Sequence, residues 1–269
     1  MYYISKNKEM LGFELLGDYS NIFHFTTTRM GGVSKGTYGS LNPSYYGEDK
    51  LANVNRNWEV IMNCLPVEPI YIARPYQVHG EEILTIDKAF LQLPDVLKDC
   101  VLRGVDALVT NEPKVLLSTF TADCVPSILY DPIKEVIAVV HSGWRGTVKK
   151  ILAKTVLKLV EQFGVHPADL IATIGPSISL ESFEVGDEVV EAFQKAGFPK
   201  EDIVWFNELT KKHHIDLWRA NKLLLEEVGL LPQHIACSNK CTYINHEMFF
   251  SARRLGINSG RVLTAIMLK

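Results

Sequence analysis

Two apolar runs joined by a tight turn constrain this chain more than any other feature. Val125, Ile128 and Leu129 lie in the first run and Val136 to Val140 form the second, with Asp131-Pro132 between them. Proline presets φ and aspartate bonds its own backbone, so the link is turn chemistry. Runs this apolar suit strands buried on both faces. A link of about four residues folds them back as a hairpin, which brings their outer ends, Cys124 and His141, together. Beyond His141 comes Ser-Gly-Trp-Arg-Gly, then Thr147 as an N-cap. Val148, Ile151, Leu152, Val156, Leu159, Val160 and Phe163 follow at helical spacing and Gly164 stops the run, so a helix is expected over 147–163. A cysteine and a histidine therefore sit beside a glycine-flanked loop that opens a helix.

Other segments carry weaker signals. Leu11, Phe13, Leu15, Ile22, Phe23 and Phe25 suggest strands, as do 69–75, 83–86, 106–111, 115–120, 170–174 and 262–267. Helices are expected over 53–65, 187–196 and 215–228, the last capped by Asp216. Residues 26–36 form a glycine-rich loop carrying Arg29, and 37–50, with Asn42, continue without periodicity; long irregular spans in compact domains are often functional. No repeat or linker interrupts the chain, so 1–269 is expected to be a single domain. Strands and helices alternate only partly, which argues for an α+β fold with mixed sheets rather than a doubly wound parallel one.

Composition narrows the partners. The chain has 28 basic and 31 acidic residues for a net charge of −3, and no long basic run, which argues against nucleic acid. No stretch approaches the roughly 18 apolar residues of a spanning helix, and the start of the chain has no apolar signal core, so a cytoplasmic protein without membrane contact is expected. Five cysteines, odd in number and widely spread, are not a disulfide framework. Cys237 and Cys241 have the wrong spacing for a zinc knuckle.

His79, Cys124 and His141 invite three readings. Imidazole and thiolate are good zinc ligands, and three protein ligands with a fourth position open is the catalytic arrangement. Their separations of 45 and 17 residues match no compact zinc-finger pattern. Alternatively Cys124 is a thiolate nucleophile with His141 as base and Asp123 or Gln77 as orienting group, or simply a small buried residue at a strand end. Spacing does not choose among them.

A resemblance does. Gln77-Val-His-Gly, Asp106-Ala-Leu-Val-Thr, Thr121-Ala-Asp-Cys-Val-Pro and His141-Ser-Gly-Trp-Arg-Gly resemble the YfiH/YlmD family, once labelled polyphenol oxidase or laccase-like. Thr27-Thr-Arg-Met-Gly-Gly-Val-Ser, Ile174-Gly-Pro-Ser-Ile, Phe183-Glu-Val-Gly, Cys241-Thr-Tyr and Phe249-Phe-Ser-Ala-Arg-Arg add to it, and its bacillary YlmD branch is the nearest in pattern. The resemblance implies a single-domain α/β/β/α sandwich similar to cysteine-hydrolase folds, and one metal, zinc with copper as the alternative, on His79, Cys124 and His141. It implies phosphorolysis of purine nucleosides (adenosine, inosine, guanosine, methylthioadenosine) and adenosine deamination, with nucleosides and phosphate as partners. Arg29 and Arg145 are then candidates to hold phosphate, and Asn42, Gln77 and Asp123 to bond ribose or base. One departure is Tyr46, where the family often has histidine. The competing activities are copper-dependent phenol oxidation and a cysteine-dependent amidase acting on peptidoglycan precursors. The sequence leaves the oligomeric state open.

Overall fold

The hairpin forms where its residues place it. In the computed structural model, which describes residues 1–269, strands β8 (Val125–Asp131) and β9 (Val136–Ser142) pair antiparallel from Val125 opposite Ser142 to Asp131 opposite Val136. Asp131 Oδ1 closes the turn by accepting from the amides of Ile133 (2.7 Å) and Lys134 (3.0 Å). All residues of both strands are buried, as their continuous apolar character predicts.

This hairpin is the centre of a six-stranded sheet in the order β14 (Ile235–Cys237), β10 (Ile171–Ile174), β8, β9, β6 (Val105–Thr110), β5 (Glu82–Thr85). Its two outermost pairings are parallel and the inner ones antiparallel. A second six-stranded sheet runs β1 (Tyr2–Tyr3), β2 (Met10–Gly12), β3 (Ile22–Thr27), β15 (Val262–Leu268), β7 (Val115–Thr121), β4 (Tyr71–Ala73), with only the β4–β7 pair parallel. A small antiparallel sheet joins β11 (Glu184–Val185), β13 (Lys212–Ile215) and β12 (Val204–Asn207). The fold is thus mixed α/β with mixed sheets, as the partial alternation of elements implies.

The period-2 alternation of the central strands decides what covers them. Leu129, Ala138 and Val140 share a cluster with Leu152, Val156 and Leu159 of helix Ile151–Phe163 and with Leu224 of helix Leu217–Glu227. Their neighbours Ile128, Tyr130, Ile137 and Val139 instead pack with Leu117 and Ile266 of the second sheet. On that sheet's far side Leu116, Leu263 and Met267 meet Val54, Trp58 and Ile61 of helix Leu51–Met62. Full burial of each such aliphatic side chain is worth about 1.5–3 kcal/mol, so the central strands are anchored from both faces.

The helix expected over 147–163 is two helices, Trp144–Val148 and Ile151–Phe163. Lys150 breaks them with a left-handed φ of 61°. Thr147 is not the N-cap: it lies inside the first helix, and its hydroxyl donates to the Gly143 carbonyl at 3.1 Å. Gly143 caps that helix with extended backbone, so the helix starts against the site rather than a turn later. The other helices fall within a few residues of expectation, and Asp216 caps Leu217–Glu227 by accepting from the Arg219 amide at 2.9 Å. No helix is long and apolar enough to cross a membrane.

Candidate active site

One buried carboxylate organises the site. Asp106 lies one residue before the β6–β9 register pair Ala107–Val140, which sets it beside His141. Its Oδ1 accepts from His141 Nδ1 (2.7 Å) and the His79 amide (3.1 Å), and its Oδ2 from the amides of Val78 (3.3 Å) and Gly80 (2.7 Å). Three consecutive amides converge on one carboxylate because His79 adopts a left-handed φ of 60°. Burial works against the charge, but the hydrogen bond and charge of His141 outweigh it and hold the Asp106 carboxyl below its usual range. With Nδ1–H donating to Asp106, Nε2 is the nitrogen left to ligate a metal once it gives up its proton.

Cys124 enters from the other strand of the hairpin, one residue before Val125, whose partner is Ser142. The ligand atoms of His79, Cys124 and His141 all lie within 4.8 Å of one another, and they are the one group of three or more such side chains in the chain. The imidazoles meet edge to face with centroids 4.8 Å apart. His141 is buried, Cys124 half-buried and His79 exposed, so the set is closed on one side and open on the other. Burial alone pushes the Cys124 thiol up; the facing imidazoles, His141 foremost, reverse this and pull it well below its ordinary value. The same pair raises His141. Gly143 is required here by space: a Cβ would stand 2.8 Å from His79 Cδ2 and 3.1 Å from Cys124 Sγ. Two imidazoles and a readily ionised thiol, with one ring pre-oriented by a carboxylate, fit a single divalent metal of zinc type.

The set opens into a cavity of about 580 Å³ with apolar walls from Phe120, Ile178, Phe183 and Ile257. Gln77 and Asp123 line it, as their motifs suggest, but much of their hydrogen bonding is committed. Gln77 grips the backbone of Phe120 with both amide atoms, at 3.1 and 2.7 Å. Asp123, at a left-handed φ of 84°, accepts from the Thr242 hydroxyl (2.6 Å) and the Arg253 amide (2.7 Å). The Thr121 hydroxyl is buried at the cavity without a partner in the protein. Tyr46 lines the wall and meets Tyr76 edge to face at 4.6 Å.

Three sequence candidates do not line the cavity. Arg29 donates to the carbonyls of Gly39 (2.7 Å) and His246 (2.9 Å) and covers the Phe250 ring. Arg145 is exposed and stacks over Trp144 at 4.2 Å, because the helix begins at Trp144 and turns that face outward. Asn42 is fully buried and bonds Ser44, Asp49 and the Arg261 amide. Sequence reasoning missed Asp106 as the organiser, and Arg253 and Arg261, which do line the cavity. Asp106 and Arg253 stood inside quoted motifs; Arg261 had no local signal.

Comparison with known proteins gives a consistent picture. Residues 23–269 match a family model described as multi-copper polyphenol oxidoreductase laccase. A purine nucleoside phosphorylase of Bacteroides thetaiotaomicron is 47% identical over 268 residues, covering 100% of this chain and 99% of that protein. Adenosine deaminase RL5, from an unknown prokaryotic organism, is 42% identical over 91% of this chain and 93% of its own. The crystal structure of YlmD from Geobacillus stearothermophilus superposes with a TM-score of 0.87 at 30% identity, covering 98% of each chain. The chain therefore stands nearer the Bacteroides relative than this bacillary YlmD.

Proposed function

The chain belongs to the YfiH/YlmD laccase-domain family, and we propose that it is a zinc-dependent purine nucleoside phosphorylase that also deaminates adenosine. One observation carries the reading: relatives named for these two activities match nearly the whole chain, and the chain offers one convergent ligand set, at the floor of a nucleoside-sized cavity. The substrates proposed are adenosine, inosine, guanosine and methylthioadenosine, with phosphate as co-substrate.

His79, Cys124 and His141 are the residues that would hold the metal, which when bound supplies Lewis acidity for attack by an oxygen nucleophile. Asp106 holds the proton on His141 Nδ1, which leaves Nε2 as the nitrogen that would ligate the metal. The apolar walls take the purine and exclude water. In phosphorolysis the C1′–N9 bond breaks with its electron pair going to the purine, a phosphate oxygen bonds C1′, and the purine takes up a proton. In deamination water adds at C6 and ammonia leaves, converting adenosine to inosine.

The finer fold reading, one α/β/β/α sandwich over 1–269 with a cysteine-hydrolase likeness, is supported by the order of the packed clusters and by a Cys–His pair at a strand end. A cytoplasmic location is supported by five free cysteines, one of them a proposed thiolate ligand. The family description favours a second reading, copper-dependent phenol oxidation, although a multi-copper centre calls for more ligands than this one three-residue set. Incubating zinc-loaded protein with inosine, with and without phosphate, tests the proposal. Hypoxanthine and ribose 1-phosphate are expected only with phosphate; free ribose, or phenol oxidation on copper without base release, would refute it.

A further inference from the structure

Two of the three polar residues expected to touch substrate, Asn42 and Asp123, each hold the backbone of an arginine. Asn42 Oδ1 accepts from the Arg261 amide at 3.1 Å, and Asp123 Oδ2 from the Arg253 amide at 2.7 Å. Both arginines line the cavity that contains His79, Cys124 and His141. Neither is ion-paired to a carboxylate within 4 Å, unlike Arg56 and Arg219.

Their donors are partly used, and in a telling way. Arg261 Nη1 donates to the carbonyls of Ser259 (2.6 Å) and Gly260 (3.1 Å), and Nη2 to that of Ile257 (3.0 Å). These neutral acceptors fix the guanidinium without cancelling its charge, and leave Nε–H and one of the two Nη2–H groups without a partner in the protein. Such a fork matches two oxygens of a tetrahedral oxyanion. Arg253 is anchored by one Nη2 bond to the Glu184 carbonyl (3.0 Å) and lies over the Phe183 ring, with Nε and Nη1 uncommitted. Burial lowers Arg261 from its ordinary value, and Arg261 lines the same cavity as His79, Cys124 and His141. A partly desolvated cation with no carboxylate in ion-pair contact attracts a small anion into the cavity.

We propose that Arg261 and Arg253 form the oxyanion subsite of this cavity, that its ligand is inorganic phosphate, and that Asn42 and Asp123 are positioning residues for the two guanidinium groups. This rests on the phosphorylase reading for its place in catalysis but not for the binding itself. Arg29 and Arg145, committed elsewhere, have no part in it.

The test uses zinc-loaded full-length protein. Titration calorimetry with inorganic phosphate measures binding directly; inosine phosphorolysis gives the phosphate KM, and adenosine deamination in phosphate-free buffer is the control. Arg261→Ala is expected to weaken phosphate binding and raise its KM by at least 30-fold, and Arg253→Ala, at an exposed position that tolerates truncation, by about 5- to 10-fold, in both cases by more than any loss of deamination, which needs no phosphate. Arg261→Lys should recover only part of the loss, since a point charge lacks the fork. Unchanged phosphate affinity in both alanine variants overturns the subsite, as does an equal loss of deamination and phosphorolysis. If phosphate binds and Arg261→Ala abolishes that binding, yet wild type yields no ribose 1-phosphate, the subsite stands and the phosphorylase reading falls.

Discussion

The two large sheets each bury a histidine, and the contrast between them separates structure from function. His24, in β3, is 6% exposed and His141, in β9, is 3% exposed. Exposure does not distinguish them; their partners do. His24 Nδ1 accepts from the Phe13 amide at 3.4 Å, and burial pushes its pKa down to about 4. It is a neutral ring serving as a core acceptor. His141 Nδ1 faces Asp106 at 2.7 Å and a cysteine lies on its other side; together they raise it despite burial. What sets the proposed ligand His141 apart from His24 is thus a carboxylate behind it and a soft donor beside it, not burial.

The largest expected effect comes from removing the proposed ligand His141. His141→Ala should lose bound metal and at least 10³-fold in both activities while melting as a folded protein, because Asp106 retains three backbone donors. His24→Asn should leave kcat/KM within twofold. Metal analysis with steady-state kinetics checks both, and equal losses in the two variants would erase the distinction. Next is the carboxylate. Asp106→Asn should weaken zinc binding about 10- to 100-fold, read by chelator competition, since it loosens His141 and the His79 backbone at once; an unchanged affinity would show that the ligands position themselves.

The pH dependence of stability sharpens the contrast from the other side. The folded state holds His24 neutral down to about pH 4, whereas an unfolded histidine takes up its proton near 6.5. The unfolded state therefore binds more protons between these values, and stability falls as pH drops from 6.5 toward 4, by about 3 kcal/mol from this residue. Denaturant unfolding of wild type against His24→Asn measures that share, which the variant should lack. The smallest effect belongs to Arg145→Ala: stacked on Trp144 outside the cavity, it should change turnover less than twofold, and a tenfold loss would return it to the site.

What the sequence made legible was local. Turn chemistry at Asp131-Pro132 and continuous apolar character located the hairpin, and with it the meeting of Cys124 and His141. What stayed hidden depends on contacts remote in the chain. Asp106 takes its role from β6 lying beside β9, 35 residues away in sequence. Arg261 reaches the cavity through Asn42, 219 residues earlier. The helix start at Gly143 was masked because Thr147 has the chemistry of a cap, while the reason for glycine is the closeness of His79 and Cys124. Tyr46, where the resemblance leads one to expect histidine, lines the cavity wall.

The central claim is that one His79–Cys124–His141 centre serves both reactions. Chelator-stripped protein titrated with zinc, with inosine phosphorolysis and adenosine deamination followed on the same preparation, tests it most directly. Both activities should return in parallel and saturate at about one zinc per chain, and neither should return in Cys124→Ala. Recovery of one activity without the other, or full zinc occupancy in Cys124→Ala, would contradict it.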